Sequence, residues 1–237
     1  MRFSNKSVVV TGGTGGLGRA VSLAFLREGA KVIVTYQSIS EFEALKAAAK
    51  TDAASLSGAA VDVTNESAVR RFIEGALAAA GTIDVLVNTV GGYAGGIKLW
   101  ELDPTTFEKM LTLNIRSGYI LARVAIPAML KQGSGTFINI SSRAALDHAA
   151  GASAYAASKA AALALMDSLA EDVRGSGVRV NTILPSIIDT EPNRKAMPKA
   201  DFSKWPKPEE IAKVILFLCS EDARVIHGAA VPVYGMD

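Results

Sequence analysis

The stretch 7-SVVVTGGTGGLGRAVSLAFLREGAKVIVT-35 decides the fold. It opens on a short β-branched run. A turn with five glycines in eight residues follows, 11-TGGTGGLG-18. A run with spacing near 3.6 then leads to Gly29, and a second β-branched run begins at Lys31. Strand, bare turn, helix and strand is the reading. The strands are continuous apolar runs rather than alternating ones, which suits parallel strands covered on both faces. The free N–H groups of the helix start and the positive end of its dipole favour an anion at the turn. Gly13, Gly15 and Gly18 match G-x-G-x-x-G. Gly12, Gly16 and Gly18 match the looser G-x-x-x-G-x-G, so the register stays open at this level. Arg19 stands where a nucleotide-hydrolase loop needs Lys before Ser or Thr, so that alternative is excluded.

The alternation continues along the chain. Candidate strands are 7–11, 31–35, 59–63, 84–88, 136–140, 178–184 and 229–233. Helical patterns lie between them at 17–29, 41–50, 65–81, 104–130, 154–175 and 208–220. This predicts an α/β, Rossmann-type, doubly wound fold: a seven-stranded parallel sheet with helices on both faces. Residues 1–237 read as a single dinucleotide-binding domain. One segment breaks the rhythm, 191-EPNRKAMPKADFSKWPKP-208, with four of the eight prolines and five basic residues against two acidic. Proline forbids a long helix there. A loop with at most a helical turn is expected, on the ligand-binding side of the sheet, acting as a substrate lid.

Composition narrows the function classes. Of the 237 residues 49% are hydrophobic and the net charge is +2, with no long basic run, so nucleic acid is not an expected partner. The lone Cys219 allows no intrachain disulfide, and His148 and His227 lack cysteine partners at ligand spacing, so no metal is expected. The first residues carry no signal-like apolar segment, and no run of eighteen apolar residues lacks charge or proline. The expectation is a cytoplasmic protein without membrane contact.

Two further signals carry chemistry. Roughly twenty residues past the glycines, NAD-binding chains place a carboxylate for the adenosine ribose. Here the second strand ends 35-TYQS-38. Tyr36 takes that place, which predicts NADP while leaving NAD allowed. Gln37 and Ser38 are the candidate donors to a 2′-phosphate, or else simply polar loop residues. The second signal is 155-YAASK-159 inside a helical pattern, which sets Tyr155 and Lys159 on one face. A free tyrosine, with a pKa of about 10, is a poor acid–base at neutral pH. An ammonium one turn away and a bound nicotinamide cation would favour tyrosinate. Thirteen residues before Tyr155, 139-NISS-142 ends a strand on a hydroxyl.

Taken together, TGGTGGLG at 11–18, VDV at 61–63, NTVG at 88–91, Asn114, NISS at 139–142, YAASK at 155–159 and PSIIDT at 185–190 make the chain resemble the short-chain dehydrogenase/reductase family from about Lys6 onward. The resemblance implies roles. Gly12, Gly16 and Gly18 become the diphosphate glycines, with Thr14 and Leu17 in the same loop and Gly13 and Gly15 as spacers. Asp62 and Val63 would meet the adenine. Asn88 would secure the sheet near the cofactor, beside Gly91. Pro185, Ile188 and Thr190 would hold the nicotinamide end. Ser142 would bind the substrate oxygen and Tyr155 would be the acid–base. Lys159 would bind ribose and lower the tyrosine pKa, and Asn114 would hold a relay water. Plainer readings stand beside these: Asp62 as a strand-end cap, Asn114 as a surface residue, His148 as a loop residue without a role.

Departures from the family pattern are Thr89 and Val90, where asparagine and alanine are usual, and Ser186, where glycine is usual. Tyr93, Arg143, His148 and Trp205 are candidate substrate contacts. The resemblance implies a small-molecule carbonyl or alcohol as substrate. An NADPH-dependent 3-oxoacyl or related ketone reductase is the first expectation, with an acyl-carrier-linked substrate allowed. An NAD-dependent alcohol, sugar or steroid dehydrogenase is the second. A non-catalytic dinucleotide sensor is the alternative of another class. A homotetramer or homodimer through the helices at 104–130 and 154–175 is also implied.

Overall fold

The computed structural model describes residues 1–236. Seven parallel strands form one sheet in the order β3-β2-β1-β4-β5-β6-β7. They are β1 (Ser7–Thr11), β2 (Lys31–Tyr36), β3 (Leu56–Ala60), β4 (Val85–Asn88), β5 (Gly135–Ile140), β6 (Val178–Pro185) and β7 (Ala230–Val233). The helices are α1 (Gly16–Arg27), α2 (Ile39–Ala49), α3 (Glu66–Ala80), α4 (Pro104–Leu111), α5 (Ser117–Gln132), α6 (Ser153–Asp172), α7 (Glu191–Ala196) and α8 (Pro208–Cys219).

The apolar runs of the strands do what continuous runs require. In β1, Val8 and Val10 enter a core with Phe25 of α1 and Ile215 of α8. Val9, between them, faces the opposite core with Ile73 of α3 and Ile120 of α5. All three valines are fully buried, because successive side chains point to opposite faces and both faces are covered. The strand order reverses between β1 and β4, which opens a crevice at their C-terminal ends.

Two elements differ from the sequence reading. The third strand is Leu56–Ala60, not 59–63. Its register is set by β2, where Val32 pairs with Leu56 and Tyr36 with Ala60. When β2 ends, β3 has no partner left. Asp62 and Val63 therefore lie beyond the strand, and Val63 packs into the core beside α3. The helical pattern at 104–130 resolves into α4, a π-helical turn over Thr112–Arg116, and α5. Such turns bulge one residue out of the helix and recur at functional sites. This one carries Asn114.

Candidate active site

The glycine turn sits at the C-terminal end of β1 and feeds α1. Gly12 has φ +68, a conformation costly for any residue with a Cβ. A Cβ on Gly18 would fall on the Gly12 carbonyl and within 2.8 Å of Thr89 Oγ1. No side chain caps α1, so its first N–H groups keep their anion-binding capacity. Leu17 is buried beneath the turn. The Thr89 hydroxyl donates to the carbonyl of Thr11 at 2.7 Å and lies 3.2 Å from that of Gly12. A departure from the family pattern thus fastens β4 to the loop, a contact the sequence reading missed.

Asn88 is a clasp. Its Oδ1 accepts from the Thr11 hydroxyl at 2.8 Å, and its Nδ2 donates to Asn139 Oδ1 at 2.9 Å. One buried amide ties β1, β4 and β5 at the crevice. The Asp62 carboxylate accepts from the Thr64 amide at 2.9 Å and hydroxyl at 2.7 Å, and these bonds hold its pKa below the usual carboxylate range. At the end of β2, Tyr36 stacks on Phe42 with centroids 4.8 Å apart. Ser38 Oγ pairs with Ser40 Oγ at 2.7 Å, and Gln37 is exposed.

Asn114, Ser142, Tyr155 and Lys159 converge beyond β4 and β5. Asn114 is buried, with Oδ1 accepting from the Gly92 amide at 2.9 Å and Nδ2 donating to Ser158 Oγ at 2.9 Å. A Cβ on Gly91 would stand 2.8 Å from Asn114 Oδ1 and 3.1 Å from Lys159 Nζ, so the bare Gly91 keeps the two side chains in reach of one small volume. Lys159 Nζ donates to the Ile140 carbonyl at 3.1 Å and lies 5.9 Å from the Tyr155 ring centroid. Ser141 turns away and donates to the Lys159 carbonyl at 2.8 Å, which leaves Ser142 beside Tyr155.

The segment 191–208 is more ordered than a loop. Thr190 caps the six-residue α7, and Arg194 pairs with Asp189 and covers the Phe202 ring at 4.8 Å. A Cβ on Gly16 would come within 2.9 Å of Thr190 Cγ2, so the residue that opens α7 touches the glycine turn. Ser186 needs no positive φ: its hydroxyl donates to the Tyr234 carbonyl at 2.8 Å. Pro185, the last residue of β6, pairs with Val233, and Ile188 packs on the core beneath. Of the four substrate candidates, Tyr93 meets Tyr155 edge to face at 5.0 Å. Arg143 lies over the Tyr234 ring at 5.2 Å and pairs with Asp147. Trp205 is buried against Phe202 before α8, and His148 is exposed.

A family model described as short chain dehydrogenase matches residues 6–201. The chain belongs to the short-chain dehydrogenase/reductase family. The 3-oxoacyl-[acyl-carrier-protein] reductase FabG of Thermotoga maritima is 28% identical over 99% of this chain and 98% of its own length. The 7alpha-hydroxysteroid dehydrogenase of Escherichia coli (strain K12) is 31% identical over 99% and 95%. The solved structure of ElxO with NADP bound superposes with a TM-score of 0.91 at 29% identity, covering 97% of each chain. As a short-chain dehydrogenase/reductase, the protein is an oxidoreductase acting on CH–OH or carbonyl groups. The family binds NAD or NADP. No helix among the described residues is long and apolar enough to cross a membrane.

In this short-chain dehydrogenase/reductase, burial acts on both Tyr155 and Lys159. Burial pushes the phenol up, a hydrogen bond with Ser142 pulls it part-way back, and Tyr93 adds to the rise. The Lys159 ammonium is itself destabilised. Full burial pulls Lys159 down to about 8.

Proposed function

We propose that this protein transfers hydride between a nicotinamide dinucleotide and a carbonyl or secondary alcohol, working as a ketone reductase. The observation that carries the reading is the meeting of buried Ser142 and Lys159 with the half-buried Tyr155 on the same edge of the sheet as the uncapped glycine turn. The dinucleotide fits the residues present. Gly12, Thr14, Gly16, Leu17 and Gly18 would cradle its diphosphate on α1. Tyr36, Gln37, Ser38, Asp62 and Val63 would border the adenosine. Asn88, Gly91, Pro185, Ile188 and Thr190 would border the nicotinamide. When bound there, it supplies or accepts the hydride.

The chain's own residues handle position and proton. Ser142 and Tyr155 hydrogen-bond the substrate oxygen, and Tyr155 gives it a proton. A phenol is protonated at neutral pH and can donate in the reducing direction. Lys159, with a pKa of about 8, can still return a proton to Tyr155 at pH 7. Asn114 holds the relay from water to Lys159. Tyr93 borders the mouth, with the segment 191–208 as lid over one domain of residues 1–237. A 3-oxoacyl or related ketone is the first substrate to try, by analogy with the Thermotoga maritima relative. The groove between α5 and α6, lined by Tyr119, Ile126, Pro127 and Leu165, supports assembly as a homodimer or homotetramer. A cytoplasmic location accords with the family's small-molecule chemistry.

The test is a panel of 3-oxoacyl thioesters, cyclic ketones and steroid ketones assayed with NADH and NADPH. Reduction of any one supports the reading. Tight dinucleotide binding without turnover on any ketone or alcohol would favour a cofactor sensor instead.

A further inference from the structure

Tyr36 at the end of β2 predicts NADP, because the carboxylate that meets an NAD ribose is missing from that strand. The fold brings one in from elsewhere. Glu41 lies in the first turn of α2, and its Oε2 accepts from the Thr14 hydroxyl at 2.9 Å. Thr14 is in the middle of the glycine turn, 27 residues away in sequence. The carboxylate therefore spans the gap between the turn and α2, beside the end of β2. In a Rossmann crevice the adenosine ribose lies at that gap.

We propose that Glu41 makes the protein prefer NAD over NADP, by setting a negative charge where the 2′-phosphate of NADP would lie. This rests on the dinucleotide reading above. Three observations support it. No Lys or Arg lies within ion-pair distance of Glu41 among the described residues, so nothing neutralises it locally. The hydroxyls nearby are already partly committed: the Thr14 O–H is donated to Glu41, and Ser38 and Ser40 share one hydrogen bond with each other. Tyr36 is turned into its stack on Phe42 and adds no charge. The same carboxylate can accept from the free 2′-hydroxyl of NAD, so one group attracts one dinucleotide and repels the other. Thr14 is a positioning residue, holding Glu41 over the crevice.

The experiment is a pair of fluorescence titrations, NADH and NADPH, against the whole protein, Glu41→Gln and Thr14→Val. The wild type should bind NADH roughly tenfold tighter than NADPH or better, since a doubly charged phosphate meets a carboxylate at short range. Glu41→Gln should bring the two affinities to within about threefold, mainly by tightening NADPH. Thr14→Val should narrow the gap in the same direction by less. Added salt should narrow the wild-type gap and leave that of Glu41→Gln nearly unchanged, because only the first is a charge effect. A wild type that binds NADPH tighter, or a Glu41→Gln ratio equal to that of wild type, overturns the assignment while leaving the dinucleotide reading intact. Binding of neither nucleotide overturns both.

Discussion

At the catalytic end, Asn114, Ser142 and Lys159 are buried, and their bonds reach Gly92, Ala144, Ser158 and the end of β5. At the glycine-turn end, Thr14, Ser38, Ser40 and Glu41 are only partly buried or exposed, and they pair with one another. The first arrangement is fixed by the fold. The second is held by a few polar contacts that water can compete with. Burial therefore shifts pKa values at one end, while exposed charge can tune ligand choice at the other. A dinucleotide-dependent enzyme needs both properties, and here they are segregated along the crevice.

The sharpest way to break this comparison is at Tyr155. Tyr155→Phe removes one hydroxyl, keeps the ring against Tyr93, and leaves the glycine-turn end untouched. Turnover should fall by about 10²–10⁴, the usual worth of a positioned acid–base, while the dinucleotide Kd stays the same. Equal losses in both would show that the two ends are not separable. Lys159 gives the next effect, and it reads out as stability. Its folded pKa is depressed from 10.5 to about 8 by burial. The unfolded chain then binds the extra proton between those values, so this group's penalty is full below about pH 8 and fades as pH rises toward 10.5. At pH 7 the shift corresponds to about 3 kcal/mol. Lys159→Met should be inactive yet more resistant to urea than wild type at pH 7. That advantage should shrink between pH 8 and pH 10.5. Comparing the two proteins cancels the other titrating groups, including Cys219, which burial pushes up to about 12. An advantage that is constant with pH would mean that Lys159 is not buried as a cation.

Asn88→Ala probes the clasp rather than the chemistry. It strips partners from the buried Thr11 hydroxyl and the Asn139 amide oxygen. Unpaired buried polar groups cost about 1–3 kcal/mol each, so about 3 kcal/mol is expected. For a chain of this size that is a fall in melting temperature of about 6–12 °C, measured without nucleotide. A loss of activity with no change in melting temperature would place Asn88 in the chemistry and not in the sheet.

What could be read from sequence follows the same divide. Tyr155 and Lys159 lie one helical turn apart, so their juxtaposition needs only a helix. The seven parallel strands follow from continuous apolar runs, and the glycine turn from its position between strand and helix. The edge strand was misplaced because 59-AAVDV-63 is the more apolar run, whereas β2 fixes the pairing and Gly58 is needed where a Cβ would crowd Val34 and Phe42. The π turn at Asn114 has no local signature. Thr89 looks like a loss against the family pattern until its hydroxyl is seen to reach Gly12 and Thr11. Glu41 could not be connected to Thr14 by any spacing rule. The Tyr155 pKa depends on how deeply the phenol is buried and on its bond with Ser142, which only the folded chain can decide.

The smallest effects lie inside the glycine turn, where the resemblance makes Gly13 and Gly15 alike as spacers. They are not alike. A Cβ on Gly13 would stand 2.5 Å from Val34 Cγ1 and 2.6 Å from Val34 Cβ, and the branch point of a strand valine cannot swing aside. Gly13 also donates its amide to the Thr35 carbonyl at 3.0 Å, which fixes the turn against β2. Gly13→Ala must move the turn or the strand, at a cost of about 1–3 kcal/mol typical of overpacking. The same shift would carry Thr14 away from Glu41, so selectivity between the two dinucleotides should weaken with stability. A Cβ on Gly15 meets only the Gly12 carbonyl, at an ordinary 3.4 Å, and its φ of −69 suits alanine. Gly15→Ala should be close to neutral: a less flexible unfolded chain contributes about 0.4–1 kcal/mol, and alanine is a poorer N-cap than glycine by a similar amount. Urea denaturation of the two variants side by side decides the matter. Equal stabilities would mean that the turn can retreat from β2, and that its hold on Glu41 is looser than the 2.9 Å contact implies.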